Sequence, residues 1–201
     1  MKKCRAACLP GKAKVRRRKA SNDHARLTLR RPRRIVADMT EHIPFATGGC
    51  ACGAVRYTLA DQPYAVNCCH CTDCQREIGS AFAVNAAIET PLVQVTGAEP
   101  VAIHLASASG AGQTVMRCPR CQTALFSHYG ALGTKAAFVR AGTLDNPALC
   151  PPTAQIWTRS RLPWVALDPA IPAFEAFYSG RDIPALLGER GAERLRSLRK
   201  G

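Results

Sequence analysis

Short runs of alternating or continuous apolar residues, separated by glycine, proline and other turn residues, dominate the chain from residue 54 onward. Alternation with a period of two is typical of a half-buried strand, and a short apolar run bounded by turn residues is consistent with a buried one. Strands are predicted at 54–59, 82–88, 92–96, 101–105, 114–117, 124–127, 135–140 and 155–157. The pattern therefore predicts a mainly β protein.

Helix is predicted in two places. Thr72 to Ile78 indicates a short helix that stops at Gly79, because glycine readily takes the left-handed conformation that follows many helices. Residues 183–200 combine helix formers with alternating charges, which is typical of an exposed terminal helix. The predicted organisation is an extension over 1–38, a domain over 39–180 and a helical C-terminal tail over 181–201.

Charge is concentrated at the N-terminus. The chain carries a formal net charge of +14, which would ordinarily favour nucleic acid or an acidic surface as a partner. Residues 1–38 contain 14 Lys and Arg against Asp23 and Asp38, so the remaining residues have a balance of only +2. Little apolar periodicity and high charge predict disorder for this basic extension.

Three interpretations of the extension stay open: a solvated tail with no specific role, an arm for nucleic acid or targeting, or sequence upstream of a start at Met39. No run is apolar and long enough to predict a secretory signal or a membrane span, so no membrane partner is expected.

Cysteines are crowded in the stretch N-C-C-H-C-T-D-C at residues 67–74. In an extended segment Cys69 and Cys71 project from the same face, and Cys74 returns by a C-x-x-C turn, so three thiolates can reach one zinc ion. A catalytic zinc keeps three protein ligands and one open position. His70 and Cys68 point the other way, and we expect His70 to form a hydrogen bond beside the site and Cys68 to be buried as a small apolar residue.

A second set of cysteines predicts a closed structural zinc site. Cys50 and Cys52 are again two positions apart, and Cys118 and Cys121 form a later C-x-x-C turn. Disulfides are the main alternative, but the 11 cysteines are an odd number and no export signal precedes them. The pattern favours a reducing compartment such as the cytoplasm. Free thiols are expected at Cys4, Cys8 and Cys150.

Four motifs follow one another over residues 45–178: G-G-C-A-C-G-A-V-R-Y, C-H-C-T-D-C, R-C-P-R-C-Q-T-A-L and I-W-T-R-S-R-L-P-W-V-A-L. In this order they resemble the glutathione-dependent formaldehyde-activating (GFA) family, also called the centromere-protein-V-like family. The resemblance implies a mainly β fold of the Mss4-like (β-tent) type with two zinc ions (Zn2+). By motif position it assigns the structural zinc to Cys50, Cys52, Cys118 and Cys121, and the open catalytic zinc to Cys69, Cys71 and Cys74.

The reaction of that family joins formaldehyde to the glutathione thiol, giving S-hydroxymethylglutathione, and is classed in reverse as a carbon–sulfur lyase. An anionic thiol substrate requires cations, and Arg76, Arg117 and Arg120 are the nearest in sequence, although each is also expected as a solvated surface charge. The family commonly has glycine where this chain has Pro119 and Gln122.

Two functions remain open at this point. One is a zinc-dependent carbon–sulfur lyase acting on a small-molecule thiol and an aldehyde. The other is a non-catalytic, zinc-stabilised binding module that docks nucleic acid or a protein through the basic extension. A pocket beside an accessible fourth coordination position favours the first, and a closed second site favours the second. We expect Trp157, Trp164 and Phe174 to pack in the core or in a lid.

Overall fold

A computed structural model describes residues 44–107 and 110–200. The predicted basic extension over 1–38, with Cys4 and Cys8, lies outside the described residues. Within the described ranges the elements are β1 (Ala46–Gly49), β2 (Val55–Leu59), β3 (Ala65–Cys69), α1 (Thr72–Ile78), β4 (Ala83–Glu89), β5 (Val93–Gly97), β6 (Val101–Leu105), β7 (Gln113–Arg117), β8 (Ala124–Tyr129), β9 (Ala136–Arg140), β10 (Ala154–Ile156) and α2 (Ile183–Lys200). The prediction of a mainly β fold with little helix is confirmed.

The strands form two sheets. The smaller sheet has the order β1-β2-β5 and is antiparallel. The larger one has the order β10-β3-β4-β9-β8-β7-β6, and its neighbours are antiparallel except for the parallel pair of β10 and β3. Every predicted strand is found, and no end differs from its prediction by more than two residues.

Two strands have no counterpart among the predicted runs. The sequence A-T-G-G of β1 contains two glycines, which are depleted in strands because they have no side chain to pack. The sequence A-V-N-C-C of β3 is buried along its whole length and therefore shows no alternation. Both strands end next to cysteines of the predicted metal sites.

The main hydrophobic core lies between the two sheets. The buried residues of β2, Val55, Tyr57 and Leu59, alternate with half-buried ones. They belong to one cluster with Ile88 of β4 and Val139 of β9. A fully buried side chain of this kind contributes about 1.5–3 kcal/mol. This packing holds the smaller sheet to one face of the larger sheet.

A second cluster covers part of the opposite face. It includes Ala65 of β3, Ala87 of β4 and Ile156 of β10, and it continues into α2 through Ala192 and Leu195. The central strands are consequently buried on both faces.

The C-terminal helix differs from the exposed helix that was predicted. It is kinked at Gly188, which adopts φ 65°, and its residues Ile183, Ala192 and Leu195 are buried. Most of its charged residues face solvent, with Arg194 paired to Glu89 instead, whereas Ala192 and Leu195 are three positions apart and pack on the sheet. No helix in the described part of the chain is both long and apolar enough to cross a membrane.

Replacement of Leu195 by alanine is expected to lower the free energy of unfolding by about 2–5 kcal/mol, because it leaves a cavity between α2 and the sheet. Chemical denaturation measures the effect. Leu149→Ala is the matched control, since Leu149 is exposed and its truncation creates no cavity. Equal stability of the two variants would show that α2 contributes nothing to the fold.

Candidate metal centres and the adjoining cavity

The first cysteine cluster joins two distant turns. Cys50 and Cys52 lie between β1 and β2, and Cys118 and Cys121 lie between β7 and β8. Their four Sγ atoms are all within 4.8 Å of one another. Sulfur atoms around a tetrahedral zinc ion with Zn–S bonds of about 2.3 Å lie about 3.8 Å apart. The Cys50–Cys52 and Cys52–Cys118 distances of 3.5 and 3.8 Å fit that geometry.

Hydrogen-bond donors surround this cluster. The backbone N–H of Val55 donates to Cys50 Sγ at 3.3 Å, and that of Arg120 donates to Cys118 Sγ at 3.4 Å. Hydrogen bonds from the side chain and backbone of Thr123 lower the pKa of Cys121 to about 5. Such donors favour the thiolate, which is the form that binds a metal.

Gln122 takes the backbone conformation that a glycine would adopt. Its φ of 59° is left-handed, which costs a residue with a side chain about 1–2 kcal/mol. Its N–H donates to the Cys118 carbonyl at 3.0 Å, and its own carbonyl accepts from Arg117 Nη1 at 2.7 Å. The turn therefore keeps the geometry of a C-x-x-C knuckle despite the missing glycine.

The second cluster is formed where β3 meets α1. Cys69 ends β3, Cys71 caps the N-terminus of α1, and Cys74 lies in its first turn, with its backbone N–H donating to Cys71 Sγ at 3.3 Å. The three Sγ atoms lie within 4.8 Å of one another. No further Cys, His, Asp or Glu of the described residues joins them. The predicted helix bounds and the stop at Gly79, with φ 63°, are confirmed.

Contacts within this cluster shift the pKa values of its thiols in opposite directions. Hydrogen bonds from Cys69 and Cys74 lower the pKa of Cys71 well below its ordinary value. Hydrogen bonds with Cys71 and Cys74, together with burial, raise the pKa of Cys69. Of these two thiols, Cys71 therefore forms the thiolate more readily. A metal that binds all three sulfurs must release the remaining protons, so its affinity decreases as the pH falls.

A cavity of about 90 Å3 opens over this cluster on one face of the larger sheet. Its floor contains a polar row, because Asn67, Asn85 and Arg140 lie directly opposite one another on β3, β4 and β9. Cys69 is two residues beyond Asn67 and therefore faces the same side. The other lining residues are Cys71, Asp73, Cys74, Gln113, Ser127, Tyr129, Phe138, Ile156, Trp157 and Phe177.

A buried ionic network connects α1 to this floor. The Glu77 side chain is 2% exposed and accepts from Arg117 Nη2 at 2.6 Å and from Arg140 Nη2 at 2.8 Å. Arg140 also donates to Asn85 Oδ1, and Asn85 Nδ2 lies 3.9 Å from Cys74 Sγ. Hydrogen bonds therefore link a cysteine of the open cluster to two arginines.

Sequence reasoning missed Glu77, Asn85 and Arg140. Arg140 is 55 positions from Asn85 and 63 from Glu77, so no short motif connects them. Of the arginines predicted near the site, Arg117 is ion-paired, whereas Arg76 and Arg120 are exposed.

His70 faces away from the open cluster, as predicted, and is 1% exposed. Its Nε2 atom lies 3.6 Å from Cys68 Sγ, and its ring packs on Phe82 with centroids 5.4 Å apart. Burial lowers the pKa of His70. The expected burial of Cys68 and the free thiol at Cys150 are both observed. The hydrogen bond expected beside the metal site is made to Cys68 instead of to a predicted ligand.

The aromatic residues separate into different environments. Trp157 lines the cavity and Phe174 packs against the second hydrophobic cluster. Trp164 is 75% exposed, so its predicted role in packing is wrong. It follows Pro163 in an irregular segment that presents the indole to solvent.

Fold and site together define a mainly β protein with two cysteine clusters that could each bind a metal ion. The family model of the glutathione-dependent formaldehyde-activating enzymes matches residues 45–160. This match covers more than half of the chain, and the chain belongs to the GFA family.

Among solved structures, a Rhodobacter sphaeroides protein is similar to 63% of this chain over 98% of its own length, with 14% identity and a TM-score of 0.38. No curated protein matches the chain.

The variant Glu77→Gln is expected to lower the free energy of unfolding by about 3 kcal/mol, because it leaves two arginines, one of them buried, without a counter-charge. Thermal or urea denaturation measures this. Asp145→Asn is the control, since it removes the exposed ion pair with Arg56 and should leave stability nearly unchanged. A Glu77→Gln protein as stable as the control would contradict a role for the network in the fold.

Proposed function

We propose that this protein is a zinc-dependent carbon–sulfur lyase, which joins a small-molecule thiol to an aldehyde at a zinc ion held by Cys69, Cys71 and Cys74. The observation that carries the proposal is the position of these three cysteines, which all border one cavity. Three protein ligands leave a fourth coordination position, and here that position would face the space in which a substrate can bind.

When bound, zinc can stabilise a substrate thiolate or polarise a carbonyl oxygen. In the reaction the thiol sulfur forms a bond to the carbonyl carbon, and the thiol proton passes to the carbonyl oxygen. The residues of the chain hold the geometry for this step. Asn85 contacts Cys74 and is itself held by Arg140, while Trp157 contributes an aromatic side to the cavity.

The cluster of Cys50, Cys52, Cys118 and Cys121 would hold a second, structural zinc, giving two zinc ions per chain. Four thiolates complete a tetrahedral shell and leave no position for a substrate. This ion would connect turns that are 66 positions apart, from Cys52 to Cys118, and so join the smaller sheet to the larger one.

Family membership makes glutathione and formaldehyde the first substrates to test. The cavity favours the enzyme over a non-catalytic binding module, whose basic extension lies outside the described residues. Since α2 packs on the sheet, we propose that the catalytic domain runs from residue 39 through this helix. Seven reduced thiols as metal ligands suit a reducing compartment, for which we propose the cytoplasm.

The variant Cys118→Ala is expected to unfold at markedly lower temperature, because it removes a buried ligand of the structural zinc. The Cys71→Ala variant should remain folded, since its site lies at the edge of a cavity and does not join the two sheets. Cys150→Ala is the control for loss of a buried thiol outside both clusters. Equal melting temperatures for Cys118→Ala and Cys71→Ala would contradict the proposed division between the sites.

Elemental analysis of the purified chain is expected to give about two zinc ions per chain. The rate of S-hydroxymethylglutathione formation should exceed the uncatalysed rate, and the excess should disappear in the Cys71→Ala variant while one zinc ion remains. Cys150→Ala again serves as the control and should retain both metal and rate. Two zinc ions without any rate enhancement for any pair of thiol and aldehyde would overturn the enzyme proposal.

A further inference from the structure

We infer that the cavity selects a thiol that carries an uncharged, apolar group such as an aromatic ring, in preference to glutathione. This inference rests on the proposed function and concerns the same site. The observations that carry it are the apolar wall, the strained backbone of one wall residue and the lack of an uncommitted cation among the described lining residues.

One side of the cavity is an aromatic wall. Ile156 lies opposite Cys69 in the β10–β3 pair, which places an apolar side chain next to the first cysteine. Phe138 meets Tyr129 edge to face, with ring centroids 6.4 Å apart. Phe177 stands at the rim and stacks on Tyr178, with centroids 4.2 Å apart. An apolar ligand group would displace water from these rings.

Trp157 occupies its place in this wall at a conformational cost. Its φ of 57° is left-handed, which is uncommon for a bulky residue. Its N–H donates to the Ala176 carbonyl at 3.0 Å, and the Arg159 guanidinium lies 4.8 Å from the ring centroid. Strained conformations persist where surrounding contacts fix them, and they cluster at binding sites. Here the contacts of Trp157 hold its strained backbone in place, and the indole therefore lies beside the open cluster.

The charges around the cavity oppose an anionic tripeptide. Arg140 is the cation among the described lining residues, and it is already bonded to Glu77 and Asn85. Asp73 is an acidic residue of the same lining. Glutathione would bring two further carboxylates, and a carboxylate that is buried without a partner is strongly disfavoured. An uncharged thiol avoids this cost.

The size of the cavity also opposes glutathione, because a volume of about 90 Å3 is too small to enclose a tripeptide. A larger aldehyde or thiol reacts with the same stoichiometry. One C–S bond forms, the thiol proton moves to the carbonyl oxygen, and no oxidant or reductant is required.

The test uses the full chain loaded with cobalt(II), whose visible absorption reports any thiol that coordinates at the open site, whatever its size. Three thiols are titrated: 2-phenylethanethiol, 2-mercaptoethanol and glutathione. We expect 2-phenylethanethiol to bind at least about tenfold more tightly than either of the others, because its ring is buried against the aromatic wall. The Trp157 fluorescence should change in parallel in a Trp164→Phe background, where Trp157 is the remaining tryptophan.

Substitutions in the aromatic wall test which residues bind the ring of 2-phenylethanethiol. Phe177→Ala truncates a half-exposed rim residue. It should weaken the binding of 2-phenylethanethiol several-fold and leave the affinity for 2-mercaptoethanol unchanged. Leu149→Ala removes an exposed leucine outside the lining and should change neither affinity. Trp157→Ala should have the larger effect of the two wall variants, and Phe177→Ala keeps the test decisive if Trp157→Ala does not fold.

The possible results distinguish a failure of this inference from a failure of the proposed function. If glutathione binds as tightly as 2-phenylethanethiol, or if Phe177→Ala weakens all three thiols equally, the inference is overturned and the proposed function stands. If none of the thiols alters the cobalt absorption, or if Cys71→Ala binds them as the parent does, the proposed function itself fails.

Discussion

The ion pairs of Glu77 hold α1 against the larger sheet, and the geometry of the open cysteine cluster depends on that attachment. No residue of α1 is fully buried, so apolar packing contributes little to its position. Its contacts are polar instead. Glu77 bonds to Arg117 of β7 and to Arg140 of β9, and Gln75 Nε2 donates to the carbonyls of His70 and Ser160 at 2.7 and 2.9 Å. Hydrogen bonds and ion pairs of this kind are directional, which suits a helix that must fix two cysteine side chains.

The two cysteine clusters differ in where they lie relative to the two sheets and the cavity. Four cysteines meet where two turns from separate sheets converge, so a metal there would act as a cross-link. The other three lie at one strand end and the adjoining helix, beside open space. We therefore propose a structural role for one cluster and a catalytic role for the other, because they differ in the number of ligands and in the adjoining cavity.

The strong basic charge of the chain does not extend to the cavity. In the described residues many arginines are paired with carboxylates, as in Arg56 with Asp145, Arg190 with Asp61 and Arg194 with Glu89. The guanidinium that reaches the cavity floor is committed to Glu77 and Asn85. Membership of the GFA family thus indicates the type of site, while the residues around it would decide which of the proposed substrates can approach.

The sequence by itself determined the features that depend on local spacing. Cysteines two or three positions apart in C-x-C and C-x-x-C patterns bring their sulfurs together in any extended or turning segment, and Gly79 ends α1 through its own backbone preference. Only the tertiary structure decided the rest. The alignment of Asn67, Asn85 and Arg140 depends on the register of three strands. The burial of α2 depends on contacts between distant segments, and so does the difference in exposure between Trp157 and Trp164. Such contacts depend on the whole packing of the chain, which no short stretch of sequence encodes.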